Sequence, residues 1–177
     1  MIEIKRRPEA DTSQFTDATP PLLQRIYASR GISCEAELER GAKGLLGYNQ
    51  LFGIQPAVDL LVSALAEQRR IIVVGDFDAD GATSSALSVL ALRMLGCRNV
   101  DYLVPNRFDD GYGLSPEVVE QAAARGAELI MTVDNGVSSI AGVAAAKAKG
   151  MQVLVTDHHL PGDTLPDADA MVNPNLH

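Results

Sequence analysis

At 177 residues and 46% apolar content, with 23 acidic against 15 basic side chains for a net charge of -8, the chain is long enough for one substantial core and too apolar for a disordered polymer. That charge argues against a module that grips nucleic acid through its own overall field; a polyanion would need bound divalent cations, which invert the electrostatics of a carboxylate-rich site, or a separate basic domain. No apolar run nears the roughly 20 residues of a membrane span and the first residues carry no signal-peptide pattern, so a cytoplasmic protein without membrane association is expected, while Cys34 and Cys97 match no zinc or redox spacing and are expected as free thiols.

The first stretch of the chain carries helical patterns at Pro20 to Tyr27, at Ser33 to Arg40, and at Pro56 to Gln68 with apolar Ala57, Leu60, Leu61, Ala64 and Leu65. Lys43 to Gly53, rich in glycine, reads as a joining loop. The division expected is a helical preface and loop over residues 1–53 and a main domain over residues 54–177. From Arg70 the pattern changes. Ile71 to Val74 is expected as a strand, Ala82 to Leu95 as a helix and Val100 to Val104 as the next strand. Ser115-Pro116-Glu117 opens a helix with a capping serine and a proline at its first position. Leu129 to Val133, Ser138 to Lys149 and Val153 to Thr156 continue the series, with Gly96, Gly126 and Gly150 as helix stops and Ala170 to Val172 as a short edge strand. Strands and helices in this alternation imply an α/β fold: a doubly wound, mainly parallel sheet flanked by helices, with an N-terminal helical preface.

Three polar segments stand directly after predicted strands. Gly75-Asp76-Phe77-Asp78-Ala79-Asp80-Gly81 places carboxylates at alternate positions, which either hold a cation or face water at an acidic helix amino terminus. It begins like an EF-hand loop, but Leu87 stands at the twelfth position, where a bidentate Glu is required, and the preceding element is a strand. A P-loop fails too, since no Gly-Lys-Ser/Thr follows. Asp134, in Thr132-Val133-Asp134-Asn135-Gly136, fits either a ligand or a turn cap. Asp157-His158-His159 suits first-row transition metals with carboxylate–imidazole pairing, or forms a polar surface loop. In an open parallel sheet all strand carboxyl ends lie on one edge, where such folds build their sites. The three segments therefore converge, with two βα units between Asp80 and Asp134 and one between Asp134 and Asp157. Independent surface acids would not keep this phase. Carboxylates with histidines favour manganese or magnesium, imidazole tilting the choice to manganese, and a two-metal centre of this type serves in-line phosphoryl displacement. A fourth segment, Pro105 to Ser115, follows a strand onto the same edge. There Arg107 could grip a phosphate and Tyr112 could stack on a base, or Arg107 simply pairs with an Asp in an ordinary turn.

Asp76-Phe77-Asp78-Ala79-Asp80-Gly81, Asp134-Asn135-Gly136 and Asp157-His158-His159 resemble the first three motifs of the DHH phosphoesterase superfamily. The Asn106 to Leu114 loop, with the run from about Pro21 onward, is similar to its RecJ branch. The resemblance implies a metal-dependent phosphodiester hydrolase that digests single-stranded DNA from the 5′ end with manganese or magnesium, in recombination and repair. It implies Asp78, Asp80, Asp134 and His158 as metal ligands, His159 as a ligand or phosphate contact, Asp76 and Asp157 as groups that orient the ligands, and Arg107 as a nucleotide contact. Asp80, Asp134 and His159 then stand nearest the chemistry. One departure matters: the family pattern carries a further metal-binding aspartate and a second domain beyond the histidine pair, and Asp163, Asp167 and Asp169 come too soon to fill that place. The expectation is a piece of a longer protein, inactive alone, whose partners are single-stranded DNA and repair or replication proteins. Alternatives are hydrolysis of short oligonucleotides, cyclic dinucleotides or pyrophosphate, and a catalytically silent scaffold, against which the intact carboxylate and histidine set weighs.

Overall fold

The computed structural model describes residues 8–106 and 113–176, and it divides into two compact units, Met1–Leu46 and Gly47–His177. In the first unit, α1 (Pro21–Ala28) opens with proline at its first position, where a missing N–H removes no helical bond. Gln24 ties it to the preceding turn, its Nε2 donating to the Thr16 and Thr19 carbonyls at 2.9 and 2.8 Å. The helical pattern at Ser33 to Arg40 yields only one 3-10 turn, Glu35–Leu38. No residue of that turn is buried, so no packing stabilises a longer helix, and Glu37 folds back to accept the Ser33 N–H at 2.9 Å.

The second unit runs α2 (Ile54–Ala66), β1 (Ile71–Val74), α3 (Ala79–Met94), β2 (Val100–Leu103), α4 (Pro116–Ala124), β3 (Leu129–Val133), α5 (Ile140–Ala148), β4 (Gln152–Thr156) and β5 (Ala170–Val172). All four strand pairings are parallel, in the order β2-β1-β3-β4-β5. Successive side chains of β1 point to opposite faces. Ile72 and Val74 pack with Val118 and Ala122 of α4 and Val143 of α5, whereas Ile71 and Val73 pack with Ala57 and Ala64 of α2 and Val89 of α3. Both faces of the sheet are thus covered, which is why β1 is a continuous apolar run instead of an alternating one. Its four side chains are fully buried, and burial of one valine or isoleucine contributes about 1.5–3 kcal/mol. This is the doubly wound parallel sheet expected, with Ala170–Val172 at one edge.

Helix boundaries follow their caps. The Ser115 hydroxyl accepts the Val118 N–H at 3.3 Å and starts α4. Gly96, Gly126 and Gly150 follow α3, α4 and α5 with φ of +94°, +75° and +78°. α3 begins earlier than the expected Ala82, because the Asp78 carboxylate accepts the Gly81 N–H at 3.1 Å and caps it. The chain leaves β1 toward β2 on one side and reaches β3 on the other. A topological switch point therefore lies between the carboxyl ends of β1 and β3, where a crevice opens in such sheets.

Candidate metal centre

Three loops meet beside that crevice, and each is shaped by a different local device. In the loop after β1, Asp76 is buried and its Oδ1 accepts the Phe77 N–H at 2.7 Å. Gly81 lies against this backbone: a Cβ there would stand 2.5 to 2.7 Å from the Asp76 O, N and C atoms. Only glycine lets α3 start so close to the strand it follows. Asp78 caps the helix with one oxygen, and Asp80 stands in the first turn with a side chain 64% exposed.

In the loop after β3, Asp134 adopts φ +63°, the left-handed region that aspartate tolerates better than most side chains. Its N–H donates to the Thr156 carbonyl at 3.0 Å. Asn135, fully buried, donates from Nδ2 to the Val74 and Val133 carbonyls at 3.1 and 2.9 Å. The Thr132 hydroxyl closes the turn on the Asn135 carbonyl at 2.7 Å.

In the loop after β4, the Asp157 carboxylate is fully engaged. Its Oδ2 accepts the Val137 N–H at 2.8 Å, while Oδ1 accepts the N–H groups of His158 and His159 at 2.7 and 3.0 Å and lies 2.7 Å from His159 Nδ1. That contact favours a proton on Nδ1, which makes Nε2 the ring nitrogen that carries the lone pair. His158 Nε2 lies 2.8 Å from Asp134 Oδ1 and 3.9 Å from Asp80 Oδ2. Behind the histidines, Asn173 Nδ2 donates to the His159 carbonyl at 2.9 Å and Asn175 Nδ2 to the His158 carbonyl at 2.7 Å.

Burial pushes the Asp134 carboxyl above its ordinary range, the His158 ring pulls it back, and the charges of Asp80 and Asp78 push it further up. Burial would also raise Asp157, but the N–H donors of Val137 and His159 outweigh it and hold that carboxyl low. The hydrogen bond to Asp157 raises His159. A hydrogen bond with Asp78 lowers Asp80.

Ligand atoms of Asp76, Asp78 and Asp134 lie within 4.8 Å of one another, and so do those of Asp134, His158 and His159. Asp134 belongs to both sets. Among the described residues no lysine or arginine pairs with Asp76, Asp78, Asp80, Asp134 or Asp157. A carboxylate-rich group with imidazole and no protein cation is a donor set that fits divalent metal. The structure therefore brings Asp78, Asp134, His158 and His159 together, adds a possible ligand oxygen from Asp76, and leaves Asp80 at the margin beside His158. Arg107 and Tyr112 lie outside the described residues. Sequence reasoning gave no role to Asn135, Asn173 or Asn175. The signal was there, since all three follow strands in the same phase that singled out the acids. A cavity of about 580 Å³ adjoins Asp157 and His159, walled by Gly136 and Val137 and by Ser115 and Ile140 at the amino ends of α4 and α5.

A profile of the DHH family, N-terminal domain, matches residues 70–177. The chain is 64% identical over 176 residues to the single-stranded-DNA-specific exonuclease RecJ of Escherichia coli, covering 99% of this chain and 30% of that protein. It is 34% identical over 178 residues to the protein of the same description from Bacillus subtilis, covering 97% of this chain and 22% of the other. The chain thus spans about a third or less of the length of these relatives. Among solved structures it resembles exonuclease RecJ bound to manganese, with a TM-score of 0.68 and 39% identity, covering 75% of this chain and 34% of that one. It also resembles RecJ in complex with Mn2+ from Thermus thermophilus, with a TM-score of 0.64 and 34% identity over 84% of this chain and 20% of that one.

Proposed function

The chain belongs to the DHH family, and from that premise we propose that its carboxyl edge is the two-cation centre of a phosphodiester hydrolase acting on single-stranded DNA. The observation that carries the reading is Asp134, whose buried carboxylate is common to both ligand sets. One carboxylate reaching two ligand sets is what a pair of metals about 3.5–4 Å apart calls for. Manganese or magnesium held there would generate hydroxide at neutral pH and stabilise the attacking and leaving oxygens of an in-line displacement. Asp78, Asp80, Asp134, His158 and His159 would hold the cations, with Asp76 contributing a further oxygen. Asp157 fixes the His159 ring through Nδ1 and so aims Nε2 at the centre. The cavity beside His159 gives a phosphate somewhere to lie, and the amino ends of α4 and α5 favour an anion there. Arg107 and Tyr112 are assigned to the nucleotide.

RecJ relatives that share about two thirds of their matched residues with this chain are described as specific for single-stranded DNA, which supports that substrate; digestion from the 5′ end in repair and recombination and residence in the cytoplasm are part of the same proposal. The activity is assigned to a protein of the relatives' length, in which other segments grip the DNA. The test compares that protein on long 5′-phosphorylated single strands, dinucleotides and pyrophosphate, with Mn2+ and with EDTA. Digestion of the long strand only with metal is expected, reduced at least about 100-fold by Asp80→Ala. Wild-type rates in that variant, or preference for the small phosphates, would sink the reading.

A further inference from the structure

We infer that Asn135 is a positioning residue: it sets the gap between the loops after β1 and β3, and through that gap it controls one of the two cation positions and not the other. The inference rests on the metal-centre reading above. The two strands are paired up to Val74 beside Thr132. Beyond that pair the chain runs in opposite directions, toward β2 from one strand and toward β4 from the other, so no continuous backbone ladder holds the loops together. Asn135 spans the crevice. Both Nδ2 contacts are to main-chain carbonyls, Val74 of β1 and Val133 of β3.

The other end of the same amide explains why this looks like a positioning device rather than ordinary core packing. Asn135 Oδ1 is buried and, among the described residues, has no hydrogen-bond partner. An unpaired acceptor in the interior is unfavourable, and rotating the amide would set that oxygen against two carbonyls. The side chain is held in its present orientation by what Nδ2 does, and a local departure from full polar satisfaction of this kind is expected at sites that serve function. Asp134, the carboxylate common to both ligand sets, is tied separately to β4 by its N–H, which donates to the Thr156 carbonyl, so losing the strap frees the loop after β1 and leaves Asp134 with the histidines.

The next gap along the sheet is closed by different bonds. Between β3 and β4, Asp134 N–H donates to the Thr156 carbonyl at 3.0 Å, and the Thr156 hydroxyl donates to the Thr132 carbonyl at 2.6 Å. The set Asp76–Asp78–Asp134 spans the first gap, and Asp134–His158–His159 spans the second. Losing the Asn135 strap therefore loosens the first set and spares the second. Losing the Thr156 hydroxyl does the reverse.

The experiment titrates Mn2+ alone into the wild-type chain, Asn135→Leu and Thr156→Val, by calorimetry and by the electron paramagnetic resonance of free Mn2+, with circular dichroism as a check of folding. Two binding events are expected in the wild type. Asn135→Leu should weaken one of them at least about 10-fold and leave the other within about 2-fold, and Thr156→Val should weaken the other one. If Asn135→Leu does not fold, Asn135→Ser, which keeps a single donor, replaces it, with the same selective loss expected. Equal weakening of both events, or of neither, overturns the inference and leaves the metal centre standing. A wild-type chain that binds no Mn2+ overturns both.

Discussion

Burial, followed by the charges of Asp80 and Asp78, disfavours the ionised form of Asp134, and the His158 ring offsets this only in part. A carboxyl whose folded pKa lies above its unfolded value of 3.8 costs stability once the pH exceeds both. Asp134→Asn should therefore raise the urea midpoint of the metal-free chain at pH 7, the more so because asparagine accepts the left-handed backbone well. The same variant should lose the gain from Mn2+, which in the wild type is about 2.7 kcal/mol at 100-fold excess over Kd. An equal gain in both proteins would contradict the assignment. Asp157 has the opposite sign. Its folded pKa lies below 3.8, so its stabilisation is complete above 3.8 and disappears as the pH falls through the folded value. Asp157→Asn places an amide among the N–H groups of Val137, His158 and His159, and should cost about 2 kcal/mol at pH 7. Urea unfolding should show that difference shrinking in acid below 3.8; a difference independent of pH would mean the charge is not what matters.

At the level of elements, the first turn of α3 and the first turn of α4 look alike in sequence, each with an oxygen-bearing cap. Their consequences differ. Ser115→Ala should cost about 1 kcal/mol through the lost cap and leave Mn2+ affinity unchanged. Gly81→Ala puts a methyl group into the Asp76 backbone, and should cost about 2–3 kcal/mol while also weakening Mn2+ binding; comparing melts and titrations of the two variants checks this. These elements also mark how far the sequence could be read. The Ser115 cap, the glycine stops and the unbroken apolar run of β1 act within a few residues, and each was legible. The start of α3 was not, because the Asp78 carboxylate both caps the helix and faces the metal edge, and composition alone does not say which use sets the boundary. The turn at Glu35–Leu38 was overread as a helix because periodicity says nothing about whether a partner exists to bury the face. Asn173 and Asn175 follow β5 and donate to the His159 and His158 carbonyls; strand phase put them on the metal edge, but an asparagine amide in the sequence does not say which backbone it holds.

For the whole molecule, strand phase is enough to place Asp76 to Asp80, Asp134 and Asp157 to His159 on one edge, since period-two strands and parallel pairing leave little freedom. What phase could not give was depth: that Asp134 is buried and Asp80 exposed follows from the left-handed turn and the early helix start. The sheet has a further consequence, one of timing. With every neighbouring pair parallel, no two of the described strands are joined by a hairpin, and each pairing waits on the closure of a long connection, a slow route to the native state. The acidic loop after β1 must meet histidines that follow β4, so the cation pocket is complete only once the β1–β3 and β3–β4 pairings have formed. An ion that binds only the finished pocket cannot hasten the search for it. Mn2+ should slow unfolding in stopped-flow measurements and leave the refolding rate within about 2-fold, making the metal a lock on a structure that forms without its guidance.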